Sequence, residues 1–163
     1  MTTGSHIGKT IYVAAALPAT NDKAGFEALT WVKADGIQVL PQLGVSHANI
    51  DVPDLQSGWT QGIKGAGSGN DSTMSFRAVA SDAGQEDLLD AAQAGGDGGV
   101  MSIKIVKGSG ANQAPATGDP VQYAQGYVHS HVEIQGDTTT HEGFSVNFKQ
   151  NAPTVNDVNP TVA

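Results

Sequence analysis

The chain has 163 residues and a mass of 16.6 kDa, which suits a single domain with its own hydrophobic core. It contains no cysteine, so neither disulfides nor thiolate metal sites stabilise it. Sixteen acidic residues against eight basic ones give a net charge of −8, which disfavours a surface that binds the phosphate backbone of nucleic acid. No segment approaches the roughly 20 apolar residues of a membrane helix, and no secretory signal is visible, so we expect synthesis in the cytoplasm.

Alternation of apolar and polar residues predicts that most of the chain is β-strand. In residues 45–52, Ala48, Ile50 and Val52 share one face, and a polar connection occupies residues 18–25. Turn signals stand at residues 35–36 and 136–137. The predicted strands cover residues 9–16, 29–34, 37–40, 45–52, 73–80, 100–107, 121–135 and 140–149.

Two segments lack this alternation. Residues 53–72 are rich in glycine and polar residues, yet they include Leu55, Trp59 and Ile63. A loop of about 20 residues is uncommon inside a domain and is usually functional or disordered. Residues 151–163 contain two prolines and predict a flexible C-terminal arm. The organisation predicted is one β domain over residues 1–150, with a long loop at 53–72, followed by that arm.

One acidic helix is predicted at about residues 82–94. Ser81 or Asp82 can cap it, Gln85 lies three residues after Asp82 as in a capping box, and two glycines follow its end. Five acidic residues and no basic residue fall between positions 82 and 97, so its outer face is strongly negative. We expect its apolar stripe to pack on the strands through Leu88, Leu89 and Ala92.

Two glycine-rich motifs resemble nucleotide-binding loops without meeting their requirements. Residues 4–10 (GSHIGKT) have three residues between the glycines where a phosphate-binding loop needs four, and a strand follows instead of a helix. Residues 62–69 (GIKGAGSG) also lead into a strand. No Gly-x-Ser-x-Gly elbow is present. We therefore predict neither a cofactor nor an enzymatic activity.

The segment HSHVE at residues 129–133 is the strongest candidate for chemistry. His129, His131 and Glu133 fall on one face of a predicted strand, and His141 lies on the expected hairpin partner. Imidazoles at this spacing can share a metal ion, as in a cupin. The acidic ligand that a cupin places further along is absent, because Gln135 and Gly136 stand there. The alternative is an ordinary polar face of a strand.

The order of these features resembles the major tail tube proteins of long-tailed bacteriophages with non-contractile tails, such as those of the lambda type. The resemblance covers residues 26–150. It is carried by the Gly-rich segment WTQGIKGAGSGN, the strand STMSFRA, the helix DAGQEDLLDAA, and QYAQGYVHSHVEIQGDTTTHEGFSVNF with its closing hairpin.

This resemblance implies a β-sandwich or barrel-like domain flanked by one helix. It implies hexameric rings that stack into a hollow virion tube, through which DNA leaves the head without specific binding. Six copies carry 6 × (−8) = −48 charges, which would keep DNA from adhering to the bore. The partners implied are other copies, the tail terminator, the tape measure protein and distal tail proteins. Candidate inter-subunit contacts are Leu55, Trp59, Ile63 and Lys64.

Three alternatives remain open from sequence. The chain also resembles the tube proteins of contractile tails and of type VI secretion systems, although the long loop before the helix and the C-terminal arm favour the phage tube. It also fits a β-barrel that binds a ligand, or a metal through His129, His131 and His141. Finally, Trp59 could fold back on the core of its own subunit instead of reaching a neighbour.

Overall fold

The computed structural model describes residues 4–160, which form ten β-strands and two α-helices. The elements are β1 (Lys9–Ala14), α1 (Lys23–Glu27), β2 (Val32–Ala34), β3 (Ile37–Val39), β4 (Val45–Pro53), β5 (Thr60–Gly69), β6 (Asp71–Arg77), α2 (Ala83–Gln93), β7 (Val100–Lys107), β8 (Pro120–Glu133), β9 (Gly143–Gln150) and β10 (Val155–Val158). This mainly antiparallel β architecture with one longer helix confirms the predicted fold class. Among residues 4–160, no helix is long and apolar enough to cross a membrane.

The larger sheet curls until its two end strands meet. Its order is β2-β1-β7-β8-β9-β6-β3, with β10 paired to the first part of β8. β2 and β3 stand at opposite ends of this order, yet only Asp35 and Gly36 separate them in the chain. Three consecutive Cα steps reach at most about 11 Å, whereas six strand spacings in a flat sheet span about 29 Å. The sheet is therefore rolled into a barrel-like sandwich.

The inside of this roll holds the main hydrophobic core. Alternate residues of the strands point inward, and Leu88 of α2 joins them. A second, smaller cluster lies on the outer side of β7 and β8, where Phe26 of α1 stacks on Tyr123 with ring centroids 5.0 Å apart. The inward residues of the best-predicted strands are Met74, Phe76, Met101, Ile103, Ile105, Phe144, Val146 and Phe148.

Helix α1 lies where the sequence predicted only a polar connection. The Asp22 side chain caps it by accepting a hydrogen bond of 2.8 Å from the Gly25 N–H, and Phe26 is fully buried. The helix has five residues, too few for a periodic pattern to be visible in the sequence. Burial of one aromatic side chain on the sheet holds it in place.

The prediction of an irregular loop over residues 53–72 is wrong. Only residues 54–59 form the connection, and β5 pairs with β4 as a second, two-stranded sheet. Glycine disfavours strands by propensity alone, and β5 contains four glycines. The ladder of hydrogen bonds to β4 overrides that preference.

The predicted flexibility from residue 151 is also wrong for the described part of that segment. Val155–Val158 is β10, which pairs antiparallel with residues 120–123 of β8. Asn159, buried at 5% exposure, accepts a hydrogen bond from the Gly118 N–H and donates one to the Asp119 carbonyl oxygen. Residues 161–163 of the predicted arm lie outside the described residues.

Candidate assembly surfaces

Residues 45–69 form a two-stranded projection, which we call the arm. Every residue of β4 is exposed, as are nearly all residues of β5. A hairpin of two strands is marginally stable at best without a third element to pack on. The arm therefore presents surface that the subunit itself leaves uncovered.

The arm has one apolar and one polar face. Ile50 pairs with Ile63, and Val52 follows on the same side. The opposite side carries Asn49 paired with Lys64. Trp59 is 76% exposed and Leu55 fully so, so Trp59 does not fold back on the core of its own subunit.

The turn of the arm is locally well ordered despite its exposure. Asp54 accepts hydrogen bonds from the backbone N–H groups of Gln56, at 3.0 Å, and Ser57, at 3.3 Å. The Ser57 hydroxyl, followed by the Gln56 N–H, lowers the pKa of the Asp54 carboxyl. This Asx-type turn places Trp59 at the start of β5.

A buried polar network fixes the root of the arm to the main sheet. The Gln150 side chain, 1% exposed, accepts a hydrogen bond of 3.0 Å from the Gly44 N–H and donates one of 2.7 Å to the Ala152 carbonyl. At Gly69 the two backbones approach so closely that a Cβ atom would lie 1.9 Å from the Gln150 carbonyl oxygen. The direction of the arm is consequently set by the core.

The N-terminus of α2 seals the place where β2 and β3 meet. Asp82 caps the helix and also accepts a hydrogen bond of 3.2 Å from the Asp35 N–H. The Gln85 amide donates to the carbonyl oxygens of Asp35, at 2.7 Å, and Arg77, at 2.8 Å, and accepts from the Val79 N–H at 3.2 Å. Gln85 thus ties α2 to two backbone segments, the β2–β3 connection and the end of β6, instead of completing the predicted capping box.

The helix-packing residues predicted from sequence differ in their burial. Leu88 is 0% exposed in the main core, and Ala92 is half-buried against it. Leu89 is half-buried and lines a surface cleft. The buried face of α2 centres on Leu88 and Ala91. It is therefore rotated away from Leu89 and Ala92, which the sequence predicted to pack on the strands together with Leu88.

The cleft beside Leu89 has a volume of about 410 Å³ and lies between α2 and the ends of β8 and β9. Its lining is mixed: Val79, Leu89, Ile134 and Phe144 contribute apolar surface, and Gln85 and His131 contribute polar groups. Its rim carries four carboxylates, and within residues 4–160 none of the four forms an ion pair. The rim residues are Asp82, Glu86, Glu133 and Glu142.

A third surface is the outer side of β6, β9 and the second half of β8. Its side chains are mainly small and polar, and they bond to one another: the Thr73 hydroxyl donates to Asn147 at 2.9 Å. His129 faces both carboxylate oxygens of Asp71 at 3.1 Å. We call this surface the polar sheet face.

The three histidines proposed as metal ligands are not brought together. A bulge at Ser130, whose φ is +60°, shifts the register of β8, so His129 and His131 lie on opposite sides of the sheet. His131 stacks on Phe144 at 5.0 Å, and His141 bonds to Gln38. Within residues 4–160, no group of three or more histidine, aspartate or glutamate side chains could hold a metal ion.

Sequence reasoning missed part of the exposed apolar face. Ile50 and Val52 were recognised as sharing a side, but nothing indicated that no core would cover that side. The composition of β5 carries the signal that this side stays uncovered. Apart from Ile63, the residues of β5 that pair with β4 are glycine or polar. A pair of strands with so few apolar residues on one strand cannot form a hydrophobic core of its own.

No model of a protein family matches the sequence, and no curated protein matches it significantly. Several solved structures do match. The SPP1 tail tube has 14% identity and a TM-score of 0.58, over 93% of this chain and 77% of that one. The tail of an empty GTA particle has 15% identity and a TM-score of 0.55, over 93% and 97%. The sheath–tube complex of an extracellular contractile injection system has 10% identity and a TM-score of 0.59, over 98% and 100%.

At these identities the likeness concerns the fold. The matches cover between 93% and 98% of this chain. The chain therefore has the β-sandwich fold of tail tube proteins.

Proposed function

We propose that this chain is the major tail tube subunit of a long-tailed phage with a non-contractile tail. Six copies form a ring, and stacked rings form the conduit for DNA. The observation that carries the proposal is the arm: a tail tube fold with a rigidly rooted apolar hairpin that its own core does not cover. The sixfold symmetry used for the GTA tail supports the ring size.

The arm supplies the contact between subunits in this proposal. Leu55, Trp59 and Ile63 contribute the apolar area, and Lys64 contributes a cation at the edge. Burial of exposed apolar area is the main driving force of association, and large aromatic side chains dominate interface energetics. We therefore assign the contact between adjacent rings to the arm.

The polar sheet face supplies the wall of the bore. It carries Asp71, Arg77 and Lys149, so its charge is close to balanced, and its centre consists of Thr73, Asn147 and neighbouring serines. Such a surface offers DNA no dense cationic groove. Its exposed aromatic ring, that of Tyr127, is packed against His129. The acidic side chains of α2 lie on the opposite side of these strands and contribute to the net charge of −48 per ring at longer range.

The remaining features follow from this role. The subunit is a structural protein of the virion without a cofactor, made in the host cytoplasm. Its partners are other copies along the tube, the terminator and distal proteins at its two ends, and the tape measure protein within it. The bulge that separates His129 from His131 argues against a metal-dependent activity.

A tube from a contractile tail or a secretion-like system is the second candidate. The likeness to the tube–sheath complex of an injection system favours it, at a TM-score of 0.59. The two candidates differ outside the tube, because a contractile system needs a sheath that binds the outer surface. Copurification of a sheath protein with tubes from infected or induced cells would favour this candidate.

Electron microscopy of the concentrated protein tests the proposal. We expect rings or tubes with sixfold symmetry, and slower hydrogen exchange of arm amides in tubes than in free subunits. A protein that stays monomeric at every concentration, with arm exchange unchanged, would contradict the proposal.

A further inference from the structure

We propose that the cleft beside Leu89 is the receptor for the arm of a second copy of this chain, an inference that rests on the proposed function. The occupant is the apolar face of the arm, with Trp59 entering the cleft.

The two surfaces lie at opposite ends of the same strands. β6 starts at Asp71, next to the root of the arm, and ends at Arg77, next to the cleft. A strand of seven residues spans about 20 Å. A second copy displaced along the strand direction therefore brings its arm toward the cleft of the first. Such a head-to-tail contact repeats without limit, as an open-ended tube requires.

The chemistry of the two surfaces is complementary. Leu89, Ile134 and Phe144 give the cleft an apolar part, and the arm carries apolar side chains exposed to solvent. The volume of about 410 Å³ falls in the range of pockets that bind small molecules, which leaves room for one large side chain.

Disulfide trapping tests this contact directly, because the chain contains no cysteine of its own. One variant carries Gln61→Cys, on the same side of the arm as Ile63, and a second carries Glu86→Cys on the rim of the cleft. Both residues are exposed, so neither change disturbs the core. Mixing the two single-cysteine variants, with tags of different mass, makes every mixed disulfide a link between copies.

The matched control replaces Glu86→Cys with Gln93→Cys. Gln93 is exposed on the same side of α2, two turns and about 10 Å further along. We expect assembled mixtures of Gln61→Cys with Glu86→Cys to cross-link at least tenfold faster than mixtures of Gln61→Cys with Gln93→Cys. Dilution below the assembly concentration should abolish the difference.

The outcomes separate this contact from the proposed function. Tubes in which the two mixtures cross-link at equal rates would overturn the arm–cleft contact and leave the tube assignment intact. A parent protein that forms no rings or tubes at any concentration would overturn both.

Discussion

Replacing Gln85 with alanine should cost this small domain a large share of its stability. The Gln85 side chain is 8% exposed and holds the Asp35 carbonyl, the Arg77 carbonyl and the Val79 N–H together. These groups join the two ends of the rolled sheet to the start of α2. Without the amide, each of the three loses its hydrogen-bond partner at the place where the roll closes.

The magnitude follows from the surroundings of those groups. An unsatisfied buried backbone group costs about 1–3 kcal/mol. Asp35 and Val79 are half-buried and Arg77 is exposed, so water replaces part of the loss, and the lower end of that range applies to each group. We expect Gln85→Ala to lower the free energy of unfolding by about 3 kcal/mol. Gln93→Ala, at an exposed position of the same helix, should change it by less than about 0.5 kcal/mol.

Urea unfolding followed by tryptophan fluorescence measures both variants, with the m-value as a check that the unfolded states are comparable. Gln85→Glu adds a chemical test, because an ionised carboxylate cannot donate to the two carbonyl oxygens. That variant should be at least as unstable as Gln85→Ala at pH 7 and should recover stability on acidification, when the carboxyl gains a proton. Equal midpoints for Gln85→Ala and Gln93→Ala would refute this role of Gln85.

Three further predictions concern the core and the arm. Leu88→Ala should lower the free energy of unfolding by about 2–5 kcal/mol, whereas Leu89→Ala, in the half-buried cleft, should cost less than half as much in the same urea titration. Burial, with Glu27 and Asp157 adding to it, raises the pKa of Tyr123 to about 12, and its hydroxyl has no hydrogen-bond partner among the described residues. As the pH rises, the Tyr123 hydroxyl loses its proton in the unfolded state before it does so in the folded state. Its contribution to the free energy of unfolding is therefore complete below pH 10 and is lost toward pH 12. In thermal melts, Tyr123→Phe should therefore be at least as stable as the parent at pH 7, and its advantage over the parent should be larger at pH 11. Trp59→Ala should leave the melting temperature unchanged while raising the concentration needed for assembly at least tenfold, as measured by light scattering; unimpaired assembly would remove Trp59 from the interface.

Local alternation of apolar and polar residues was sufficient to predict the strands of the core. It was not sufficient to predict which side chains point inward after a β-bulge. Phe144, Val146 and Phe148 alternate over a regular stretch, and all three are buried as expected. In β8 the single bulge at Ser130 reverses the pattern, so Val132 is exposed although it keeps the parity of buried Val128. A bulge adds one residue to a strand without a distinctive local composition, so the sequence does not mark its position.

The surfaces proposed for assembly could not be predicted from composition, because they depend on which strands pair and in which register. The glycines of β5 indicated flexibility, and the apolar residues among them indicated a contact. Only the register with β4 shows that Ile50 and Ile63 stand side by side and form one apolar face. Likewise, the cleft joins residues 78–89 to residues 131–144, a separation across which no periodicity extends.

The presence of an acidic helix in a chain of strands now has a structural reason. A sheet whose end strands are joined by two residues must close on itself, and the closing point exposes backbone groups that no further strand reaches. Helix α2 meets this need because Gly84 lets its backbone approach: a Cβ there would lie 2.5 Å from the Lys33 carbonyl oxygen. The buried residues beside this close approach are small or polar, as Ala91 and Gln85 are, while Leu88 enters the core. Its outer face is free to carry the acidic residues, and those near its start also favour the helix dipole.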